Sequence, residues 1–223
     1  MRTFITHGSP QTKIGWQQTL LTLAATALLG SASTAARADD LDAYVKVHAQ
    51  YVAVTICGTC HGRDGNSTFP KFPRLAGQNA SYLAAQLKAF RAQTRGDPDA
   101  VAYMWGMSAQ LDDGTIDALA AWYTAQPALP ESGGDPALIA RGKEIYQQGV
   151  ATEGVPACSS CHGPDARGTQ DFPRLAGQHS SYVLKQLASF QSNMRNVAIM
   201  HGVAQNLRLA QMQAVAAYLE AQP

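Results

Sequence analysis

No stretch of this chain carries the roughly 20 consecutive apolar residues that a membrane span requires. There is no long basic run, and the formal net charge is only +1, so nothing in the composition points to nucleic acid. No segment alternates apolar and polar residues convincingly enough to read as a strand, which turns the reading toward an all-helical fold. Cysteine is scarce: there are four, with no fifth to act as an extra thiolate ligand. What remains is 223 residues, 46% of them apolar, which is enough to bury one core or two. At roughly 100 to 150 residues per domain, length favours two small domains.

The first 38 residues are expected to be a secretory signal rather than part of the fold. Arg2 and Lys13 give a positive n-region, residues 20–29 (LLTLAATALL) a short apolar core, and Ala36-Arg37-Ala38 an A-x-A cleavage site. The apolar run is about half the length of a membrane anchor. Cleavage after Ala38 gives a mature start at Asp39. It removes three basic residues and no acidic ones, leaving 14 basic against 16 acidic and a formal charge of −2. A soluble periplasmic protein is the expectation.

In a secreted protein, four cysteines first suggest two disulfides. The spacing says otherwise. Cys57-Gly58-Thr59-Cys60-His61 and Cys158-Ser159-Ser160-Cys161-His162 are both C-x-x-C-H, the attachment signature of a c-type haem. Each thiol must add to one vinyl group of the same porphyrin, and two intervening residues on a helical turn place the pair there. The histidine that follows lies beneath the iron as proximal ligand. Tetrahedral zinc would accept two C-x-x-C pairs but leaves both histidines unexplained, and it needs pairs about 100 residues apart to converge. A thioredoxin-like redox pair needs strands.

The motifs sit in a long internal duplication. Residues 72–78 (FPRLAGQ) recur identically at 172–178, and Ser81-Tyr82, Gln86-Leu87 and Phe90 recur at Ser181-Tyr182, Gln186-Leu187 and Phe190. Residues 125–127 and 221–223 both read AQP. Between the halves, Pro127 to Pro136 (PALPESGGDP) is rich in Pro, Gly and Ser and reads as a linker. The organisation expected is a signal at 1–38, domain 1 at 39–128, a linker at 129–134 and domain 2 at 135–223. Each half reads as three main helices. The first spans 40–55 in one half and 136–148 in the other, the second bounded by Asp135 as N-cap, Pro136 at the first helical position and Gly149 past the end. A middle helix follows FPRLAGQ, with Tyr82, Leu83, Gln86, Leu87 and Phe90 on its apolar face and a partner over 180–193. Last helices are expected over 113–125 and 209–221.

A six-coordinate haem iron needs a distal ligand, commonly methionine. Aligning Leu111 with Leu207 lays Met104-Trp105-Gly106-Met107 over Met200-His201-Gly202-Val203. Met104 therefore has a methionine counterpart. Met107 faces valine and is assigned to core packing, though it stays the main competitor. Met194 aligns with Thr94 and Met212 lies in the last helix, so both fail the same test. His201 faces Trp105, which cannot ligate, and reads as exposed or packing; His7, His48 and His179 have no histidine in the other half. Pro73 and Pro173 are candidates to accept the free N–H of the proximal histidines, with a merely structural turn as the alternative, and Leu75 and Leu175 to pack on the porphyrin.

Taken together, CGTCHGRDGNS, ACSSCHGPDARG, the paired FPRLAGQ loops, M-x-G-[MV] and GKEIYQQGVATEGVPACSSCH resemble class I cytochromes c. From about residue 45 onward the chain looks like the dihaem cytochrome c4 family. The resemblance implies an all-α fold of two tandem class I domains joined by a short Pro/Gly linker, related by an approximate two-fold axis, with haem propionates facing across the interface. It implies two covalent haem c groups with iron, held by Cys57, Cys60, Cys158 and Cys161, and axial pairs His61 with Met104 and His162 with Met200. In domain 2, Gly142 and Tyr146 look like the small-plus-aromatic pair that lets the first helix cross the last closely. Domain 1 has no glycine between Asp39 and Cys57, leaving Ala49 or Ala53 to substitute.

Function follows as a diffusible one-electron carrier of a periplasmic respiratory chain, not an enzyme, since methionine would fill the open iron position that substrate chemistry requires. Partners would be a respiratory donor complex and a haem–copper oxidase, with loose membrane association and a monomer or small homo-oligomer. The alternative is a dihaem electron-accepting subunit of a flavin-containing dehydrogenase such as sulfide dehydrogenase. A chain that is itself a dihaem thiosulfate dehydrogenase or peroxidase would need an unusual or vacant ligand at one iron.

Overall fold

A computed structural model describes residues 39–129, 133–169 and 171–223. The expected signal, with its His7, and part of the expected linker lie outside the described residues. The chain divides between Tyr44 and Val45 into two units, the second being the compact body Val45–Pro223 that holds both halves of the repeat.

In the first half, α1 (39–52) runs through a π-helical turn (Ala53–Cys57) into α2 (Gly58–His61). Then follow α3 (Ala80–Arg91), a second π-helical turn (Ala100–Met104), α4 (Trp105–Ser108) and α5 (Asp113–Thr124). The second half has α6 (Pro136–Gln148), a 3-10 turn (Ala151–Glu153), α7 (Ser159–His162), α8 (Ser180–Gln191), α9 (Ala198–Ala204) and α10 (Leu209–Glu220). Among the described residues the only β pairing is two isolated bridges, Val150 with Val155 and Thr169 with Phe172. The fold is all-helical, as expected.

Local chemistry sets the helix ends. The Asp112 carboxylate accepts from the Thr115 N–H at 2.7 Å to open α5, and Asp135 accepts from Ala137 at 2.9 Å to open α6, with Pro136 in the first turn. Gly149, at φ 71°, closes α6. Nothing in the residue pattern signals α4, which starts directly after Met104, or α9, which carries Met200. They are too short to show an apolar period.

Helix crossing explains the two small residues. A Cβ on Gly142 would lie 1.9 Å from the Ala214 carbonyl oxygen and 2.7 Å from the Tyr218 Cβ, so α6 and α10 touch backbone to backbone. Tyr146 is fully buried beside this crossing, its ring 5.3 Å from that of Tyr218, and its hydroxyl donates to the Gly163 carbonyl at 2.6 Å. In domain 1, Ala49 and Ala53 are 1% and 0% exposed and share a core with Leu119, Ala120 and Tyr123, whose hydroxyl donates to Ala53 O at 3.1 Å. Both alanines take the small-residue role. Gly142→Ala should therefore destabilise domain 2 at the upper end of the overpacking range, about 3 kcal/mol, because the obstacle is backbone and no rotamer relieves it. Denaturant unfolding followed at each domain would show the loss confined to the second.

The halves meet through two polar layers, both built from the repeat. In the first, Gln78 Nε2 donates to Arg174 O at 2.8 Å while its Oε1 accepts from Arg174 N at 2.7 Å. Gln178 does the same to Arg74, at 2.9 and 2.9 Å. The His179 ring Nε2 donates to Ser67 O at 2.9 Å, and Asn79 Nδ2 donates to Phe172 O from the equivalent place. His179 is thus a buried interface residue, not an incidental one.

In the second layer Arg95 and Arg195 lie between α3 and α8. Arg95 donates to Asp97 at 2.8 Å, Gln86 at 2.8 Å, Gln186 at 2.9 Å and Tyr182 at 3.2 Å. Arg195 donates to Gln186 at 2.8 Å, Tyr82 at 2.8 Å and Gln86 at 2.9 Å. Each guanidinium also stacks on its own domain's phenylalanine, Phe90 or Phe190. Tyr82 and Gln86, placed on an apolar face by periodicity, serve this polar layer instead. Symmetry breaks at one point: Asp97 faces Arg95, whereas its counterpart Val197 gives Arg195 no carboxylate, and Arg195 Nε is buried without a hydrogen-bond partner. Burial pushes the Asp97 carboxyl up, but its bonds to Arg95 and Gln186 prevail and hold it below the ordinary carboxylate range.

Candidate haem sites

Each C-x-x-C-H occupies one turn of helix. Cys57 closes a π-helical turn and Cys60 and His61 lie on α2; Cys158 caps α7, which carries Cys161 and His162. The first site is reached by continuous helix, the second through a loop pinned by the Val150–Val155 bridge. Both turns end on glycine at positive φ, Gly62 at 80° and Gly163 at 81°, where a side chain would be strained. None of the four cysteines is in a disulfide. The two pairs lie in separate helical cores, and no three His, Cys, Asp or Glu side chains converge among the described residues, so a shared zinc site is not formed.

The histidines are set for ligation. Both are buried. The Nδ1 atoms of His61 and His162 lie 2.8 Å and 3.1 Å from the carbonyl oxygens of Pro73 and Pro173. A carbonyl only accepts, so each Nδ1 carries the proton and Nε2 keeps its lone pair for a metal. Burial pushes both imidazoles below their ordinary pKa, only partly opposed by the proline carbonyls, so each stays neutral. Phe72 and Phe172 stand edge-on to these rings, with centroids 6.1 and 6.0 Å away. Burial also raises the thiol of Cys57 and pushes that of Cys158 up to about 11. Paired thiols one turn before a neutral, oriented imidazole fit a covalently attached haem. Leu75 and Leu175 are half-buried, each against the edge of the core in its own half.

Met104 is half-buried at the end of its π-helical turn. Its carbonyl accepts from the Ser108 hydroxyl at 2.7 Å, and the neighbouring Trp105 indole donates to Arg95 O at 2.8 Å. Met200 is half-buried on α9 against the second core. Met107 corrects the expectation of core packing: it is 48% exposed, because the single turn of α4 directs Ser108 inward and Met107 outward. Met194 is likewise exposed, and Met212 is core. His201 occupies the place of Trp105 and uses its Nδ1 to donate to Phe190 O at 2.8 Å, an anchoring role; His48 is exposed on α1.

Sequence reasoning missed the interface groups Arg95, Arg195, Gln78 and Gln178. A signal was present. All four, with Arg74, Tyr82 and Gln86, recur at the same 100-residue offset, and polar residues repeated in a buried pattern mark contact between the repeats.

Two helical cores, each presenting a C-x-x-C-H turn and a buried imidazole held by a proline carbonyl, define a tandem c-type cytochrome. The cytochrome c family model matches residues 47–123 and again 139–222. The chain belongs to that family, in its dihaem cytochrome c4 branch, and carries two covalently attached haem c groups at Cys57/Cys60 and Cys158/Cys161. It is 43% identical over 192 residues to cytochrome c-552 of Acidithiobacillus ferridurans, covering 85% of this chain and 81% of the relative. The solved cytochrome c4 of Acidithiobacillus ferrooxidans is 44% identical, with a TM-score of 0.71 over 74% of this chain and 98% of that one. A protein of Thiomonas intermedia named thiosulfate dehydrogenase electron acceptor is 37% identical over 177 residues, covering 75% of this chain and 78% of the relative. The chain is an electron-transfer cytochrome. No helix among the described residues is long and apolar enough to cross a membrane.

Proposed function

We propose that the mature protein, residues 39–223, is a periplasmic one-electron carrier whose irons are ligated by His61 with Met104 and His162 with Met200. The two domains would divide at the linker 129–134. The observation that carries the ligand reading is the pair of Pro-anchored imidazoles, matched by the two methionines that, among the described residues, are both aligned in the repeat and half-buried. Haem supplies reversible one-electron chemistry when bound. The chain's residues orient the imidazoles, exclude water and close the sixth position. A respiratory donor and a haem–copper oxidase are the proposed partners, with loose membrane contact and a monomer or small homo-oligomer in solution.

A second reading has a specific observation behind it. The Thiomonas relative's name makes an enzyme the source of electrons, so this chain could drain a dehydrogenase. In this form the electron-accepting role expected from the sequence attaches to a thiosulfate-oxidising partner in place of a flavoprotein. One experiment separates the two: purification from native periplasm. A free carrier has the intact mass of residues 39–223 plus two haems, elutes alone, and is reoxidised by oxidase-containing membranes. Stoichiometric elution with a dehydrogenase that reduces it on addition of thiosulfate or sulfide would replace the carrier reading. A mass showing one haem or a disulfide would overturn the site.

A further inference from the structure

The proximal histidine of each domain is tied to the other domain through a single peptide group. The Pro73–Arg74 peptide accepts from His61 at its carbonyl, 2.8 Å, and its N–H donates to Gln178 Oε1 in domain 2, 2.9 Å. The Pro173–Arg174 peptide accepts from His162 at 3.1 Å, and its N–H donates to Gln78 Oε1 in domain 1 at 2.7 Å. Carbonyl and N–H of one peptide share a conjugated system, so an acceptor on the N–H pushes electron density onto the carbonyl oxygen. Chained hydrogen bonds in a low-dielectric interior reinforce each other by about 10–30% per bond. Both glutamines are buried, at 6% and 8% exposure, so bulk water does not stand in for the amide. Each amide is also held at its other end, Nε2 donating to the carbonyl of the same arginine.

We infer that Gln178 sets the proximal ligand strength of the haem in domain 1, and Gln78 that of the haem in domain 2, so that each domain tunes its neighbour's reduction potential. The inference rests on His61 and His162 being the proximal ligands. Polarising the proline carbonyl strengthens its bond from Nδ1–H and gives the imidazole more anionic character, which favours ferric over ferrous iron. The glutamines are positioning residues: neither touches an imidazole, and each acts through the peptide it holds. Docking of the two domains is thereby coupled to both potentials.

The test is crossed. In the holoprotein, Gln178→Leu keeps the side chain's bulk and removes the acceptor, and Gln78→Leu does so at the other site. Potentiometric titration followed by haem methyl NMR resolves the two haems. Gln178→Leu should raise the potential of the haem at Cys57/Cys60, moving its reduced-to-oxidised ratio two- to tenfold, where tenfold is about 59 mV for one electron. Gln78→Leu should do this to the haem at Cys158/Cys161. In each case the haem in the substituted domain should move less. Gln86→Leu removes amide bonds from the other layer of the same interface and touches neither proline peptide, so it should give no crossed pattern. Equal shifts at both haems, shifts confined to the substituted domain, no shift, or the crossed pattern with Gln86→Leu would each overturn the inference. Loss of the methionine-to-iron band or of a haem in the unsubstituted protein would instead overturn the ligand assignment.

Discussion

Replacing Met104 with alanine should remove about half of the methionine-to-ferric-iron absorption band, and Met200→Ala the other half. Each variant should also let its own haem bind exogenous imidazole or cyanide, which the parent should exclude. Met107→Ala should leave the band intact, because that side chain projects from α4 into solvent. The effect should be all-or-none at each iron, since among the described residues no other methionine combines repeat alignment with partial burial. Met212 is locked in the second core, and Met194 is exposed. Met200 also packs on that core, so its alanine variant should lose some stability where Met104→Ala, at the end of a short turn, loses less. A band that survives Met104→Ala and disappears with Met107→Ala would show the opposite assignment in domain 1.

Asp97→Ala should be among the most damaging substitutions away from the haems. It removes the one carboxylate that, among the described residues, interacts with both buried guanidiniums, of which Arg195 already has an unpartnered Nε. Breaking a buried pair from one side typically costs about 3–5 kcal/mol, since the surviving charge stays desolvated. Denaturant unfolding of the holoprotein measures the loss. Replacing Arg95 and Asp97 together with apolar residues should cost less than Asp97→Ala alone, and the opposite order would mean that the pair adds net stability. The pH dependence has a definite sign. Asp97 titrates lower when folded than when unfolded, so its contribution is complete above the unfolded value of about 3.9 and is lost only as pH falls through the lower folded value. The second polar layer should therefore hold throughout the neutral and mildly acidic range.

Helix ends and haem attachment were legible because both depend on residues close in sequence. Asp135, Pro136 and Gly149 bound α6 as capping chemistry requires, and the four cysteines with their histidines fall on single turns. The repeat extended that reach to the proline carbonyls without contact information, and it carries the proposal of Met104 and Met200 as ligands. Where periodicity was the only guide, it misplaced side chains. Tyr82 and Gln86 follow the helical period of α3 but reach buried arginines of both domains. The repeat alignment misleads at Met107, whose valine counterpart suggests a core that one turn of α4 cannot present it to.

By itself the sequence determined that this chain is helical, duplicated and twice equipped for covalent haem, because those properties are set by neighbouring residues and by comparing one half with the other. Only the tertiary structure decided how the halves are joined. The amides of Gln78 and Gln178 find their partners 96 and 104 residues away, and no local pattern distinguishes a glutamine that solvates a surface from one that holds another domain's backbone. The sequence also could not weigh Asp97 against Val197. That asymmetry matters because packing brings both arginines into a space where water is excluded and one carboxylate must serve two charges.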